Sequence, residues 1–577
     1  MGRKLKKDNP KRYSLVLAVL LISSLTGMMA LLISALKIQV FEHSKWLERY
    51  DAQVFASSKD PSSRRDIVDR YGRPLAVTVM QPSVFADPAF VSDPDETARI
   101  VSSVLGLKSE KIRKKLKAKK RFLWIRRNIS DLQARALIAR KLPGIYVVYE
   151  HRRFYPMRSL AGQLIGFVGT DGHGLEGIEK EFDSLMIIKG NKKRFVRDAL
   201  GRQVVEEEVP STETNEPLKL TIDSYIQRVA EAATEKIAQK YNPESAQVVI
   251  IDPRTFEILA VVNWPFFDPN AFHAYPPEIR RNRAFLDLFE PGSSVKPILV
   301  AGALEENLAS TNDIVFCENG SFHVPGHTIK DVHPYGWLTL TQVVKYSSNI
   351  GAAKLAFQLG AEKYYQYLLK FGFGQPTGVE FPGEAAGIIR DWKLWRPLDL
   401  ATSAFGQGIA VTALQLCSAF ATIANGGIKK TPYLLKSGHN HADEKALRVI
   451  SSQTSRILTT MLIEVTLEGG TGARASVPGY RVAGKTGTAQ RIDPSTGKYS
   501  DKQFSSIFVG FAPAEDPRIT VAVVVHSPQG ASYGGIVAAP VFREIVANVL
   551  PYLGIPAKNE AVQASDIQVR YKHDRKT

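Results

Sequence analysis

Three short motifs in the second half of the chain constrain its fold more than any other feature of the sequence. They are Ser293-Ser294-Val295-Lys296, Ser347-Ser348-Asn349 and Lys485-Thr486-Gly487-Thr488. Each motif occurs by chance in unrelated chains, but their order and their local contexts agree with one active site. A fold that uses all three must return the chain to the same cleft, which indicates a large catalytic domain.

The first motif combines a serine with a lysine at the start of a predicted helix, because Pro291-Gly292 is followed by the apolar run 298–304. Residues three apart share one face of a helix, so Ser293 and Lys296 are predicted to be neighbours. A serine hydroxyl needs a base, and a lysine serves near neutral pH when burial and a second cation lower its pKa. Lys485 is the candidate for that cation. The alternative is a capping serine followed by a solvated lysine.

The second motif lies between two predicted helices, residues 338–346 and 350–359. At such a junction Ser347 could relay a proton to a leaving amine, and Asn349 could orient a substrate amide and hold Lys296. The alternative is an ordinary helix N-cap, for which serine and asparagine are both favoured.

The third motif has the pattern of a strand that contains a glycine. Gly487 would let a ligand backbone approach closely, while Lys485, Thr486 and Thr488 would offer a cation and hydroxyls to a carboxylate. The alternative for Gly487 is a β-bulge in an edge strand.

Further segments of the chain belong with these motifs. They are Asn282-Arg283-Ala284 with Asp287, Phe405-Gly406-Gln407-Gly408 with Val411-Thr412, Tyr533-Gly534-Gly535 with Ala538-Ala539-Pro540-Val541-Phe542, and upstream Arg64-Arg65-Asp66-Ile67-Val68-Asp69-Arg70-Tyr71-Gly72 and Gly174-Leu175-Glu176-Gly177-Ile178-Glu179. Together they resemble the class B penicillin-binding proteins, and most of all the division-type peptidoglycan D,D-transpeptidases of the FtsI family. The elongation-type members of class B are the alternative.

The resemblance implies an α+β fold with an N-terminal transmembrane helix, a mixed α/β pedestal domain, and a transpeptidase domain whose antiparallel sheet is flanked by helices. It implies that Ser293 attacks a peptidoglycan stem peptide between its two terminal D-alanines, with Lys296 as base and Ser347 as proton relay. It also implies β-lactam inhibition, no cofactor, and two kinds of partner, an FtsW-like polytopic glycosyltransferase and other division proteins.

Residues 13–36 carry no charge, and as a helix they would be about 36 Å long, enough to span a bilayer. The segment before them is basic, which predicts a cytoplasmic N-terminus and an extracytoplasmic catalytic domain. A cleaved signal peptide is the alternative.

The predicted division of the chain is a cytoplasmic tail (1–12), the span (13–36), a pedestal (37–215), a transpeptidase domain (216–555) and a disordered tail (556–577), with a linker near 206–217.

Predicted strands at 247–252, 258–263, 506–511 and 520–526 surround a helical middle, as expected for an α+β domain.

Cys317 and Cys417 fit no metal-ligand spacing, and the sequence leaves open whether they pair. No metal or nucleotide motif is present. The net charge of +18 includes a basic block at 108–127, which could contact anionic lipid or cell-wall polymer or simply be a solvated helix face. Nucleic acid is not an expected partner outside the membrane.

Two other classes of protein share the three motifs. A β-lactamase would need a glutamate that positions water, and no E-x-x-x-N pattern lies between Asn349 and Lys485. A penicillin sensor would need a signalling domain in the cytoplasm, where this chain is predicted to have only a short tail.

Overall fold

The computed structural model describes residues 10–47, 55–59, 63–188, 192–197, 203–209, 216–436, 446–493 and 496–558. Two compact units are formed, one from residues 1–63 and 188–214 and the other from residues 64–187 and 215–577. Most of the predicted cytoplasmic tail and of the predicted C-terminal tail therefore lie outside the described residues.

The first unit contains the long apolar helix α1, Pro10–Leu36, which continues into a π-helical turn at Lys37–Phe41. The stretch Ser14–Phe41 has a mean hydropathy of 2.5 and none of it is buried in the structure, which agrees with a membrane anchor. The unit also contains a three-stranded antiparallel sheet of Phe55–Lys59, Lys192–Arg197 and Gln203–Val209. The prediction of a linker near 206–217 is therefore wrong for its first residues. Glu206 to Val209 belong to a strand that pairs with the basic strand Lys192–Arg197.

The second unit begins with a mixed α/β part that contains residues 64–187. Its sheet joins Leu218–Lys219, Ile67–Val68, Pro74–Ala86 and Leu123–Arg126 in that order, and Ile145–Phe154 pairs with Pro74–Ala86. The other elements of this part are the helices Pro94–Leu105, Ser109–Leu116, Asp131–Ala139, Gly162–Ile165, Gly177–Glu181 and Asp183–Met186 and the strand pair Phe167–Val168 and Gly174–Glu176.

The two upstream sequence segments that resemble class B proteins meet in a buried ion cluster. Arg64 Nε donates to Glu179 at 2.6 Å and Arg64 Nη1 to Asp183 at 2.6 Å, and Arg153 Nε also donates to Glu179 at 2.6 Å. Glu179 is completely buried. Removing one partner of such a cluster leaves an unpaired buried charge, so these residues hold their segments together.

Several side chains of the basic block at 108–127 have partners within this part of the chain. Lys117 and Arg121 form ion pairs with Asp95 and Asp87 at 2.9 and 3.1 Å. Lys115 donates to the carbonyl of Trp124 at 2.7 Å. These contacts favour a structural role for much of the block.

The C-terminal part is built on a five-stranded antiparallel sheet. It contains helix α2 (Ser224–Tyr241), strands β1 (Ser245–Ile251) and β2 (Ile258–Trp264), helices α3 (Lys296–Glu305), α4 (Leu340–Tyr346), α5 (Asn349–Leu359), α6 (Ala413–Ala424) and α7 (Ser452–Thr466), strands β3 (Ala483–Ile492), β4 (Tyr499–Ala512) and β5 (Ile519–His526), and helix α8 (Gly534–Tyr552). The strand order is β2-β1-β5-β4-β3, so β3 is an edge strand.

Smaller elements complete this part. They are the helices Pro277–Arg280, Arg283–Leu286, Ala361–Lys370 and Pro397–Ser403 and the strand pairs Ile314–Phe316 with Trp337–Thr339, Ser321–Val324 with His327–Lys330, Ile388–Ile389 with Ile409–Ala410, and Ile428–Lys429 with Leu447–Arg448.

Strands β1 and β5 are buried along their whole length because helices cover both faces of the sheet. Val248 and Val523 lie in a core with residues of α2 and α8, whereas Val249 and Ala522 lie in a core with residues of α3 and α6. Helix α8 is apolar enough to cross a membrane, but it is mostly buried in this core. The predicted α+β fold is confirmed.

The helix predicted at 338–346 begins later than expected. Trp337–Thr339 form a strand, and α4 begins at Leu340. The physical reason is the capping box, since the Thr339 side chain accepts from the Gln342 N–H while the Gln342 side chain accepts from the Thr339 N–H.

Candidate active site

Ser293 lies in a tight turn that leads directly into helix α3. The turn, Gly292–Val295, is a 3-10 turn, and the buried α-helix begins at Lys296. Ser293 is partly exposed, whereas Lys296 is only 1 % exposed. The nucleophile candidate is therefore partly accessible to solvent, while the base candidate is enclosed.

The Lys296 amine lies at the centre of the first two motifs. Its Nζ donates to Ser347 O at 2.6 Å, to Ser347 Oγ at 3.2 Å and to Asn349 Oδ1 at 2.8 Å. Within the described residues, no hydrogen bond joins the Lys296 amine to the Ser293 hydroxyl. Catalytic hydrogen bonds of this kind often form only when substrate is bound.

The environment of Lys296 favours its neutral form. Burial is the main reason that the pKa of Lys296 lies well below its ordinary value, and the nearby charge of Lys485 lowers it further. The negative charge of Asp331 opposes this shift. A neutral amine near physiological pH is what a general base requires.

The loop that carries the second motif is held by helix caps. Ser347 ends α4 in a left-handed conformation with φ of 63°. The Ser348 hydroxyl accepts from the Gly351 N–H at 3.0 Å and caps α5. This geometry turns Ser347 and Asn349 toward Lys296, so the predicted cap and the predicted site contacts occur together.

Asp331 holds this loop and has no signal in the sequence. Its carboxylate accepts from Ser348 Oγ at 2.6 Å, from the Asn349 N–H at 2.5 Å and from the Ile350 N–H at 3.1 Å. Asp331 follows the strand His327–Lys330, and the Lys330 carbonyl accepts from Asn349 Nδ2 at 3.0 Å. Only the fold brings this hairpin to the start of α5.

We expect Asp331→Ala to slow acylation of Ser293 by about 10²-fold, since a displacement near 1 Å in a site has that cost. The loss of its three hydrogen bonds should also lower the free energy of unfolding by about 1–3 kcal/mol. Without the Asp331 charge the pKa of Lys296 falls, so the acidic limb of the acylation profile should move to lower pH. The measurements are acylation rates against pH and thermal unfolding, with Thr328→Ala on the same hairpin as control. An unchanged acylation rate would contradict the positioning role, and an unchanged acidic limb would contradict the effect of the Asp331 charge on Lys296.

The third motif lies on the edge strand β3, with its side chains largely enclosed. Lys485 is completely buried, and its Nζ donates to the Thr486 carbonyl at 3.2 Å. Burial lowers the pKa of Lys485 to about 7. Thr486 Oγ1 donates to Thr471 Oγ1 at 2.9 Å, and Thr488 Oγ1 accepts from the Gly534 N–H at 3.1 Å.

Glycines allow β3 to lie against the nucleophile turn. A Cβ added to Gly487 would lie 2.7 Å from the Pro291 carbonyl oxygen, and one added to Gly292 would lie 2.9 Å from the Thr488 carbonyl oxygen. A Cβ on Gly406 would lie 2.2 Å from the Gly292 carbonyl oxygen. The backbone that approaches Gly487 closely is therefore the chain's own nucleophile turn, where a ligand backbone was expected. Glycine is required both in β3 and in the turn.

Both cysteines are free and buried, so Cys317 and Cys417 do not form a disulfide. Cys317 lies beneath the second motif, where Ser348 Oγ contacts its Sγ at 3.4 Å. Among the residues described, no group of three or more His, Cys, Asp or Glu side chains could hold a metal ion.

The site combines an accessible serine beside a buried lysine with a Ser-x-Asn loop and an edge strand that carries Lys-Thr-Gly. This combination defines a serine acyltransferase of the penicillin-recognising class. Residues 246–547 match the family described as Penicillin binding protein transpeptidase domain, and residues 59–220 match the Penicillin-binding Protein dimerisation domain. The chain belongs to the class B penicillin-binding proteins and is a serine-type transpeptidase.

Individual relatives cover most of the chain. Stage V sporulation protein D of Bacillus subtilis is 36 % identical over 86 % of this chain and 79 % of its own length. Peptidoglycan D,D-transpeptidase FtsI of Escherichia coli is 34 % identical over 90 % of this chain and 88 % of its own length. Penicillin binding protein 3 of Mycobacterium tuberculosis, solved with aztreonam, has a TM-score of 0.67 and 27 % identity over 87 % of this chain and 98 % of that chain.

Proposed function

We propose that this enzyme cross-links peptidoglycan during septum formation through an acyl-enzyme on Ser293. The observation that carries the proposal is the Lys296 amine, which is buried, held by Ser347 and Asn349, and located one helical turn from the partly exposed Ser293. The names of its relatives, which include several peptidoglycan D,D-transpeptidases, support the substrate.

In the first half of the reaction, the Ser293 hydroxyl transfers its proton to neutral Lys296 and attacks the carbonyl between two D-alanines. Backbone N–H groups of Ser293 and Thr488 stabilise the oxyanion, and each such donor contributes about 2.7–4 kcal/mol in serine enzymes. Ser347 passes a proton to the departing D-alanine amine. The products are a Ser293 ester and free D-alanine.

In the second half, an amine from a neighbouring stem peptide attacks this ester. The amide bond forms, the Ser293 oxygen leaves and takes a proton back, and the cross-link is closed. The terminal carboxylate of the donor binds to Lys485, Thr486 and Thr488 before acylation. Its negative charge stabilises the charged form of Lys485, which burial otherwise disfavours.

The nucleophile is tested by labelling with a fluorescent penicillin. Ser293→Ala should remove all covalent labelling, because its side chain supplies the atom that forms the ester. Ser294→Ala is the matched control, since the Ser294 hydroxyl is buried and donates to the Pro291 carbonyl at 2.6 Å. Labelling of the Ser293→Ala protein would remove the assignment.

The same experiment, followed over time, separates this enzyme from a β-lactamase. The acyl-enzyme should persist, and the antibiotic should not be turned over. The solved complexes of Mycobacterium tuberculosis penicillin binding protein 3 with aztreonam and with ampicillin support inhibition by β-lactams. Rapid release of hydrolysed penicillin would contradict the proposal.

The division role predicts a location in the cell. A fluorescently tagged copy should concentrate at the septum, with its catalytic domain outside the cytoplasmic membrane and α1 as the anchor. A uniform distribution along the side wall would instead indicate an elongation role.

We propose that the span and the pedestal together bind the FtsW-like glycosyltransferase, the polymerase of the glycan strands, and exchange of the anchor tests this. Small residues in α1, which allow close packing of membrane helices, are Ser23, Ser24, Gly27, Ala30 and Ser34. Exchanging α1 for an unrelated apolar helix should preserve penicillin labelling and weaken co-purification with the polymerase. If co-purification and division both survive the exchange, α1 is only an anchor.

A further inference from the structure

Thr471 lies beside the third motif, in the segment between helix α7 and strand β3, and belongs to none of the three motifs. Its Oγ1 accepts from Thr486 Oγ1 at 2.9 Å. Its backbone nitrogen and its Oγ1 each lie 3.4 Å from the Lys345 carbonyl oxygen. Lys345 belongs to the last turn of α4, the helix that ends at Ser347. Thr471 therefore connects the strand of the third motif with the helix that leads to the second.

The backbone of Thr471 is held in place although its side chain is exposed. A Cβ added to Gly535, at the start of α8, would lie 2.2 Å from the Thr471 carbonyl oxygen. On the other side, Lys345 of α4 donates to Glu464 of α7 at 2.9 Å, and α7 leads into the segment that carries Thr471. Thr471 is exposed to solvent, whereas Thr486 is only 7 % exposed. Thr471 is therefore a fixed hydroxyl at the rim of the third motif.

The hydroxyl hydrogen of Thr486 is already used in the free enzyme. A threonine hydroxyl donates one hydrogen and accepts at two positions. Lys485 Nζ donates to Thr486 Oγ1 at 3.4 Å, and the hydrogen of Thr486 goes to Thr471. The proposed function, on which this inference rests, directs the same hydrogen to the terminal carboxylate of the donor. Binding of the donor must therefore take this hydrogen away from Thr471.

The hydroxyl of Thr471 is able to reverse its role at that moment. In the described part of the chain its hydrogen has one acceptor, the Lys345 carbonyl at 3.4 Å, whereas normal O–H···O bonds are about 2.5–3.0 Å long. The distance of 2.9 Å between Thr471 Oγ1 and Thr486 Oγ1 lies within that range. Rotation about the Cβ–Oγ1 bond of Thr471 turns its hydrogen toward Thr486 and leaves the backbone unchanged.

We propose that Thr471 is a positioning residue of the carboxylate site and that it acts through Thr486. In the free enzyme Thr471 accepts the hydrogen of Thr486. When the donor binds, Thr471 donates to Thr486 Oγ1 instead, and this bond turns the Thr486 hydrogen toward the donor carboxylate. Thr471 thereby increases the preference of the enzyme for donors whose last residue carries a free carboxylate.

The test compares two donor peptides that end in D-Ala-D-alanine or in D-Ala-D-alaninamide. The measurement is kcat/KM for release of the last residue. The wild-type enzyme should prefer the carboxylate by at least about tenfold, the lower end for hydrogen bonds to charged groups. Thr471→Val should lower this preference by about three- to tenfold, because a hydrogen bond to an ionised acceptor is roughly twice as strong as one to a neutral acceptor. Thr471→Ser keeps the hydroxyl and should restore the preference to within about twofold of the wild type.

Thr460→Val is the matched control, because Thr460 is an exposed threonine of α7 that donates only to the Arg456 carbonyl, at 3.2 Å, in the described structure. This variant should retain the preference of the wild type. A second comparison adds Thr471→Val to Thr486→Val. In that background Thr471→Val should change the preference by less than about twofold, since its effect depends on the Thr486 hydroxyl. Thermal unfolding checks that each variant is folded.

Three outcomes would overturn the inference alone, each in a wild-type enzyme that prefers the carboxylate. The first is an unchanged preference in Thr471→Val. The second is a loss that Thr471→Ser does not restore, which would indicate a role of side-chain shape. The third is a full additional loss when Thr471→Val is combined with Thr486→Val, which would mean that Thr471 does not act through Thr486. A wild-type enzyme without any preference would instead contradict the carboxylate site of the proposed function, and the role of Thr471 would be wrong with it.

Discussion

Replacing Lys296 with alanine is expected to slow acylation of Ser293 by about 10²–10⁴-fold, the usual contribution of a positioned general base. Non-covalent binding of donor should be largely retained, because Lys296 contacts Ser347 and Asn349 rather than the proposed carboxylate site. The measurements are stopped-flow acylation by penicillin and equilibrium binding of a donor analogue that cannot acylate.

Lys485→Ala is the informative comparison, since it should impair both steps. It removes the proposed partner of the donor carboxylate, and it also removes a cation that lowers the pKa of Lys296. In the proposed mechanism the neutral form of Lys296 is the active base, so acylation should rise with pH as Lys296 loses its proton. In Lys485→Ala the pKa of Lys296 should increase, and the acidic limb of the profile should move to higher pH. Equal losses of non-covalent affinity in the two variants would argue against separate roles.

Gly406→Ala is expected to disrupt the nucleophile turn without changing any side chain that takes part in the reaction. The added Cβ would lie 2.2 Å from the carbonyl oxygen of Gly292 and 2.5 Å from its nitrogen. The φ of +84° adds a cost of about 1–2 kcal/mol for a residue with a Cβ, and the overlap adds about 1–3 kcal/mol. We expect a lower melting temperature together with a loss of penicillin labelling.

Gly408→Ala separates these two costs. Gly408 has a similar φ of +76°, but no atom lies within 4 Å of the position of an added Cβ. The variant should lose only the conformational part of the stability and should keep most of its acylation rate. If Gly406→Ala and Gly408→Ala behaved alike, contact with the Gly292 turn would not be the reason that glycine occupies position 406.

Much of the architecture could be predicted because it depends on local patterns. The strands β1 and β5 are rich in Val and Ile, and their bounds differ from the predicted ones by no more than two residues at either end. The apolar helix α1 is recognisable from its composition alone. The start of α4 was missed because a capping box at Thr339, rather than the apolar pattern, decides where the helix begins.

The residue types of the site were also determined by the sequence alone, since each motif carries a nucleophile, a base or a hydroxyl at short spacing. Only the tertiary structure decided their surroundings. Three features of the site depend on residues that are far apart in the chain. They are the burial of Lys485, the hydrogen bonds of Asp331 to the Ser348 loop, and the contact of Gly406 with Gly292. Pattern and periodicity describe neighbours along the chain, whereas burial, charge compensation and steric contact depend on neighbours in space, and these set the pKa of Lys296.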